Sequence, residues 1–177
     1  MNLPNKLTIV RILMIPIFMF LLLVNDQAYQ TWAAIVFIIA SLTDTADGYI
    51  ARKYNLVTNF GKFMDPLADK LLVTSAFLCF MEMGILPAWF VMIILTREFA
   101  ITGIRTLAAN EGVVIAASKW GKLKTISQMT AIVVVLFNNL SLDFPLGQIL
   151  LYIALGLTIV SGADYIMKNT KLFKNVN

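Results

Sequence analysis

Histidine is missing from the chain altogether. That removes the most frequent general base near neutral pH and the commonest transition-metal ligand. Cysteine is nearly missing as well: Cys79 is the single one in 177 residues, and it sits in an apolar run. It can form neither a disulfide framework nor a thiolate metal site, and reads as a small buried hydrophobe. Charge is scarce too, at 14% of residues, where soluble domains carry about 25%. What is abundant is apolar: 59% of the residues are hydrophobic, and the mean hydropathy is +0.81. The composition predicts an all-α integral membrane protein with a single domain spanning residues 1–177.

A transmembrane helix needs about 20 mostly apolar residues. Six stretches qualify: Leu7–Val24, Tyr29–Ile50, Phe63–Met83, Pro87–Ala108, Ile126–Leu140 and Leu146–Met167. The fifth is short unless it starts near Lys119. Turn-forming residues separate several of them, as in "NDQ" at 25–27, "MGILP" at 83–87 and "NNLSLDFP" at 138–145. The first run, with Lys6 and Arg11 ahead of its apolar stretch, could pass for a removable leader. Arg11 lies inside the run, however, and no clean small-residue cleavage pattern follows, so a retained span is expected.

The basic residues fix an orientation. Apart from Arg97, deep in the fourth span, every Lys and Arg lies at or near the N-terminus, the second-to-third link, the fourth-to-fifth link or the C-terminus, with Arg11, Lys70 and Arg105 just inside the span ends on those sides. By the positive-inside rule, both termini and those two links face the cytoplasm. An odd number of spans would break the alternation, so the charges also support six. The net charge of +4 is therefore a topology signal in short clusters, and no nucleic-acid partner is expected.

Acids make the contrast. Of ten acidic residues, four fall within "DTADGYIARKYNLVTNFGKFMDPLAD", residues 44–69. Asp44, Asp47, Gly48, Ala51 and Arg52 are spaced to share one face of a helix, and so are Gly61, Asp65 and Asp69. The polar residues 53–60 between them read as a cytoplasmic link. Two adjacent antiparallel helices would then aim two carboxylates each into one space. From Tyr29 to Thr43 is about 22 Å of helix in a core about 30 Å thick, which puts Asp44 in the inner third of the membrane. Carboxylates gathered there repel one another and lose solvation. A bound divalent cation relieves both, and oxygen-only ligation suits Mg²⁺, Mn²⁺ or Ca²⁺. Gly48 and Gly61 would let a ligand or a facing backbone come close.

The order Asp44-x2-Asp47-Gly48-x2-Ala51-Arg52-x8-Gly61-x3-Asp65-x3-Asp69 resembles the signature of the CDP-alcohol phosphotransferase family at every fixed position. The resemblance implies a six-helix membrane enzyme that joins an alcohol to a phosphoryl group of a CDP-linked donor and releases CMP. It implies two Mg²⁺ or Mn²⁺ ions held by Asp44, Asp47 and Asp65, with Asp69 taking the proton of the attacking hydroxyl. It also implies that Gly48, Ala51, Arg52 and Gly61 accommodate the cytidine nucleotide. Asn5 and Thr8 on the first helix would border that site, and the enzyme would be a homodimer in membrane lipid.

The acceptor is read from the fourth and fifth spans. Arg97 and Glu98 are adjacent and deep, so they should diverge toward separate partners. Arg105, Lys119, Lys122 and Lys124 form a basic group at the inner interface. Such a group anchors topology or meets anionic lipid, and it would equally suit an acceptor that carries its own phosphate. The pattern "TREF…GIR…ASKWGKLKT" resembles the branch of the family that uses glycerol phosphate, which implies CDP-diacylglycerol and sn-glycerol 3-phosphate as substrates. Three alternatives stay open. The acceptor could be inositol phosphate or serine, the acids could be the translocation site of a divalent-cation transporter, or a scaffold could pair them with Arg52, Lys62 and Lys70.

Overall fold

A computed structural model describes residues 2–24, 26–54, 56, 58–110, 118–138 and 145–169, with the side chains of 45, 46, 52, 59, 62, 109, 110 and 138 also outside the description. The described chain is helical, without strands. Its elements are α1 (Leu3–Leu23), α2 (Gln27–Lys53), α3 (Asn59–Glu82), α4 (Ala88–Asn110), α5 (Lys119–Asn138) and α6 (Leu146–Lys168). The six match the six apolar stretches in order. The largest difference is at α5, which starts at Lys119 because Ser118 caps it, its Oγ accepting from the Gly121 N–H at 3.0 Å.

The other helix starts follow the same physics, in which a short polar side chain takes an amide proton left over in the first turn. Asn2 does this for α1, helped by Pro4 in the first turn; Asp26 does it for α2 and Thr58 for α3. Helices α1 and α6 and the Gln27–Ala51 part of α2 are each long and apolar enough to cross a membrane. Their outward surfaces are apolar as well: Leu13, Ile17 and Phe20 on α1, and Ile153 and Ile159 on α6, are exposed. Water would penalise so much contiguous apolar surface and lipid does not, so this is a membrane protein.

The chain divides into two compact units. One comprises Met1–Ile85 with Val133–Asp143, and the other Leu86–Ile132 with Phe144–Asn177. In the first, α1 packs against α2 and α3. Its core joins large and small residues: Phe18 and Phe37 meet at 5.5 Å between ring centroids, while Ala33, Ala34, Ala40 and Ala76 are fully buried. Small residues let helix axes approach where lipid supplies no hydrophobic drive. In the second unit α4 packs against α6, with Phe90 and Tyr152 edge to face at 5.6 Å. Cys79 is buried in α3, as its apolar neighbours predict.

Candidate active site

The acids of the opening pattern lie in the first unit, and α1 organises them. Asn5, Thr8 and Arg11 follow at intervals of three along α1, and all three are buried. A fully buried arginine in an apolar helix requires a counter-charge. Arg11 has two: Nη1 donates to Asp44 Oδ1 at 2.6 Å and Nη2 to Asp47 Oδ2 at 2.5 Å. One turn of α2 separates those acids, so a planar guanidinium spans both with its two ends. Arg11 Nε is buried without a hydrogen-bond partner among the described residues.

The third acid is held from the same face of α1. Thr8 Oγ1 donates to Asp65 Oδ1 at 2.6 Å. Above it, Thr58 Oγ1 donates to Asn5 Oδ1 at 2.9 Å while accepting the Gly61 N–H at 3.0 Å. Asn2 Nδ2 reaches the Leu56 carbonyl at 2.7 Å. Together these bonds seat the start of α1 against the start of α3. Gly61 makes the fit possible, because a Cβ there would lie 3.2 Å from Asn5 Oδ1, 3.3 Å from Thr58 Oγ1 and 3.4 Å from Asp65 Oδ2. Gly61→Leu is expected to wedge α1 off α3 and destabilise the protein by about 1–3 kcal/mol, the usual range for overpacking. Gly61→Ala, which asks neighbours to yield only slightly, should stay near wild type. Thermal midpoints of the detergent-solubilised proteins check this, and an unshifted leucine variant would refute the tight seat.

Arg11 bonds Asp44 and Asp47 while Thr8, on the same face of α1, bonds Asp65, so the three acids gather against one face of one helix. Asp69 lies one turn beyond Asp65 on α3, half-buried. Gly48 and Ala51 are half-buried on α2, and the side chain of Arg52 lies outside the described ones. Among the described residues no three acidic side chains are close enough together to make a ready-formed metal cage. The donor set still fits a hard divalent cation. It is carboxylate oxygen, without sulfur or imidazole, and the protein already places a cation between Asp44 and Asp47.

Two contacts escaped the sequence reading. Arg11 stands in phase with Asn5 and Thr8 on the first helix, but its acids on α2 do not show in the sequence. Thr58 does double duty, capping α3 and fixing Asn5.

The basic residues expected around an acceptor lie in the second unit. Arg105 is exposed, with Nε 3.3 Å from the Tyr165 hydroxyl and its guanidinium carbon 5.5 Å from the ring centroid. Lys119 and Lys122 are exposed at the start of α5. Lys124 differs, being buried and bonded to Glu98 Oε1. Nor do Arg97 and Glu98 diverge: Arg97 Nη1 donates to the same Glu98 oxygen at 3.1 Å. The long arginine folds back along α4, and Gly162 gives it room, since a Cβ there would be 3.2 Å from Arg97 Cγ.

A family model described as CDP-alcohol phosphatidyltransferase matches residues 1–160. The chain is 47% identical over 191 residues to a Bacillus subtilis protein named CDP-diacylglycerol–glycerol-3-phosphate 3-phosphatidyltransferase, with 99% of each chain covered. Proteins of the same name are 42% identical in Rickettsia typhi, over 93% of this chain and 94% of theirs, and 37% identical in Haemophilus influenzae, over 93% and 91%.

Proposed function

Because this chain belongs to the CDP-alcohol phosphatidyltransferase family, we propose that it transfers the phosphatidyl group of CDP-diacylglycerol to sn-glycerol 3-phosphate, forming phosphatidylglycerol phosphate and CMP. It is a transferase of phospholipid synthesis. The observation that carries the chemistry is the grouping of Asp44, Asp47 and Asp65 around one buried face of α1. The acceptor follows from the near full-length similarity to relatives named for glycerol 3-phosphate.

In this reading Asp44, Asp47 and Asp65 hold Mg²⁺ or Mn²⁺, two ions by the family pattern. Bound there, the metal supplies neutralisation of the donor pyrophosphate and polarisation of the phosphorus under attack. The residues do the rest. Asp69 accepts the proton of the acceptor hydroxyl as its oxygen bonds to the phosphatidyl phosphorus; the bond from that phosphorus to the bridging oxygen breaks, and CMP leaves with the electron pair. Asn5, Thr8, Gly48, Ala51, Arg52 and Gly61 shape the nucleotide side. Arg105, Lys119 and Lys122 are exposed cations suited to the acceptor's phosphate, and Lys124 joins them only by giving up Glu98. The whole chain acts as one membrane domain of six spans, with both termini and the active site on the cytoplasmic face, and works as a homodimer.

The test is an acceptor panel. Purified protein with CDP-diacylglycerol and Mn²⁺ should release CMP when given sn-glycerol 3-phosphate, and far more slowly with inositol phosphate, serine or choline. Release with another acceptor but not glycerol 3-phosphate would reassign the branch, and release with none would refute the enzyme.

A further inference from the structure

We propose that Arg11 is a built-in rival of the catalytic metal, holding Asp44 and Asp47 in position while lowering their affinity for a divalent cation. The inference rests on reading those two aspartates as metal ligands.

Three observations carry it. First, the guanidinium uses one oxygen from each of the two acids, at 2.6 and 2.5 Å, so a divalent ion approaching them meets a positive charge already in contact. Second, that charge has no solvent to retreat into, because Arg11 is fully buried. Its repulsion is therefore poorly screened by water or salt. Third, the fit is incomplete: Nε is buried without a partner among the described residues. The face of α1 that carries Arg11 also carries Thr8, whose hydroxyl holds Asp65 at 2.6 Å. One helix face thus presets all three acids, and only at Asp44 and Asp47 does it do so with a charge.

The rivalry makes a stated trade. Asp44 and Asp47 stay oriented and share one compensating charge without metal, and metal binds more weakly than three acids alone would allow. A purely structural ion pair would influence folding but would not set metal affinity.

The experiment compares full-length wild type, Arg11→Gln and Arg11→Lys in detergent, counting bound Mn²⁺ from the loss of the free-ion paramagnetic resonance signal. Arg11→Gln is expected to bind Mn²⁺ about tenfold more tightly, or about 1.4 kcal/mol. Arg11→Lys, whose ammonium cannot span both acids, should bind about threefold more tightly. Thermal midpoints taken in chelator and in Mn²⁺ supply a second readout: Mn²⁺ should raise the midpoint of Arg11→Gln more than that of wild type. Unchanged or weaker Mn²⁺ binding in both variants, beside normal binding in wild type, overturns the inference and leaves the proposed function intact. Should Arg11→Gln fail to fold in chelator and in Mn²⁺ alike, the lysine variant decides, and affinity no tighter than wild type overturns it. Absence of Mn²⁺ binding in all three overturns it together with the metal-ligand reading.

Discussion

Asp69→Asn is expected to reduce CMP release by about 10²–10⁴-fold, the contribution of a positioned general base. That corresponds to about 3–5 kcal/mol added to the barrier. Asparagine keeps the size and most of the hydrogen-bonding shape of the side chain but cannot accept a proton from an alcohol. Asp69 is one helical turn past Asp65 and half-buried on the same face of α3, and it is read as the proton acceptor and not as a metal ligand. Binding and turnover should therefore separate. Mn²⁺ titration and retention of CDP-diacylglycerol should match wild type while steady-state CMP release collapses. A fall of less than about tenfold would remove the base assignment. Loss of Mn²⁺ binding would make Asp69 a ligand instead.

Asp47→Asn should act on folding and metal together. The Asp47 side chain is 2% exposed and bonded to Arg11, itself fully buried. Removing one member of a buried pair strands the other, typically at about 3–5 kcal/mol. Here Asp44 still compensates Arg11 in part, and being 39% exposed it does so from a wetter position, so the lower part of that range is expected. The same change deletes a proposed ligand, so Mn²⁺ affinity should fall as well. A double variant, Arg11→Gln with Asp47→Asn, removes both buried charges and should regain much of the lost stability without regaining metal. The interaction energy from this cycle measures the pair. An Asp47→Asn protein as stable as wild type would show that the Arg11 contact does not hold α1 to α2.

How much of this could be read in the sequence depended on whether the partners were close along the chain. The six helices were legible because long apolar runs and polar breaks are local signals. The start of α5 was less so, since Lys119, Lys122 and Lys124 interrupt the apolar pattern just where Ser118 begins the helix. The shared faces of Asp44 with Asp47, and of Asp65 with Asp69, followed from helical spacing alone. What held them did not. Arg11 meets Asp44 across 33 positions and Thr8 meets Asp65 across 57, and no periodicity connects residues so far apart. The same gap hid Lys124, which looked like one of three interfacial lysines until Glu98 on another helix was placed beside it. Arg97 and Glu98 show the reverse failure: adjacent residues on a helix normally point apart, but a long flexible arginine given space by Gly162 can fold back to its neighbour.

The Arg11 contact also imposes an order on how the protein is made. When α1 leaves the ribosome its arginine has no acid within reach, and a charged residue inside an apolar helix carries an insertion penalty, about 2.5–3.5 kcal/mol at the centre and less toward an end. The surrounding Leu, Ile and Phe residues must carry that load unaided until Asp44 has emerged in its turn, 33 residues later. At about 5–20 residues per second the wait is roughly 2–7 seconds. For that interval α1 is a membrane helix with an unanswered charge, and α2 enters as the segment that answers it. The residue that arranges the finished site thus makes the second helix a condition for the first to settle.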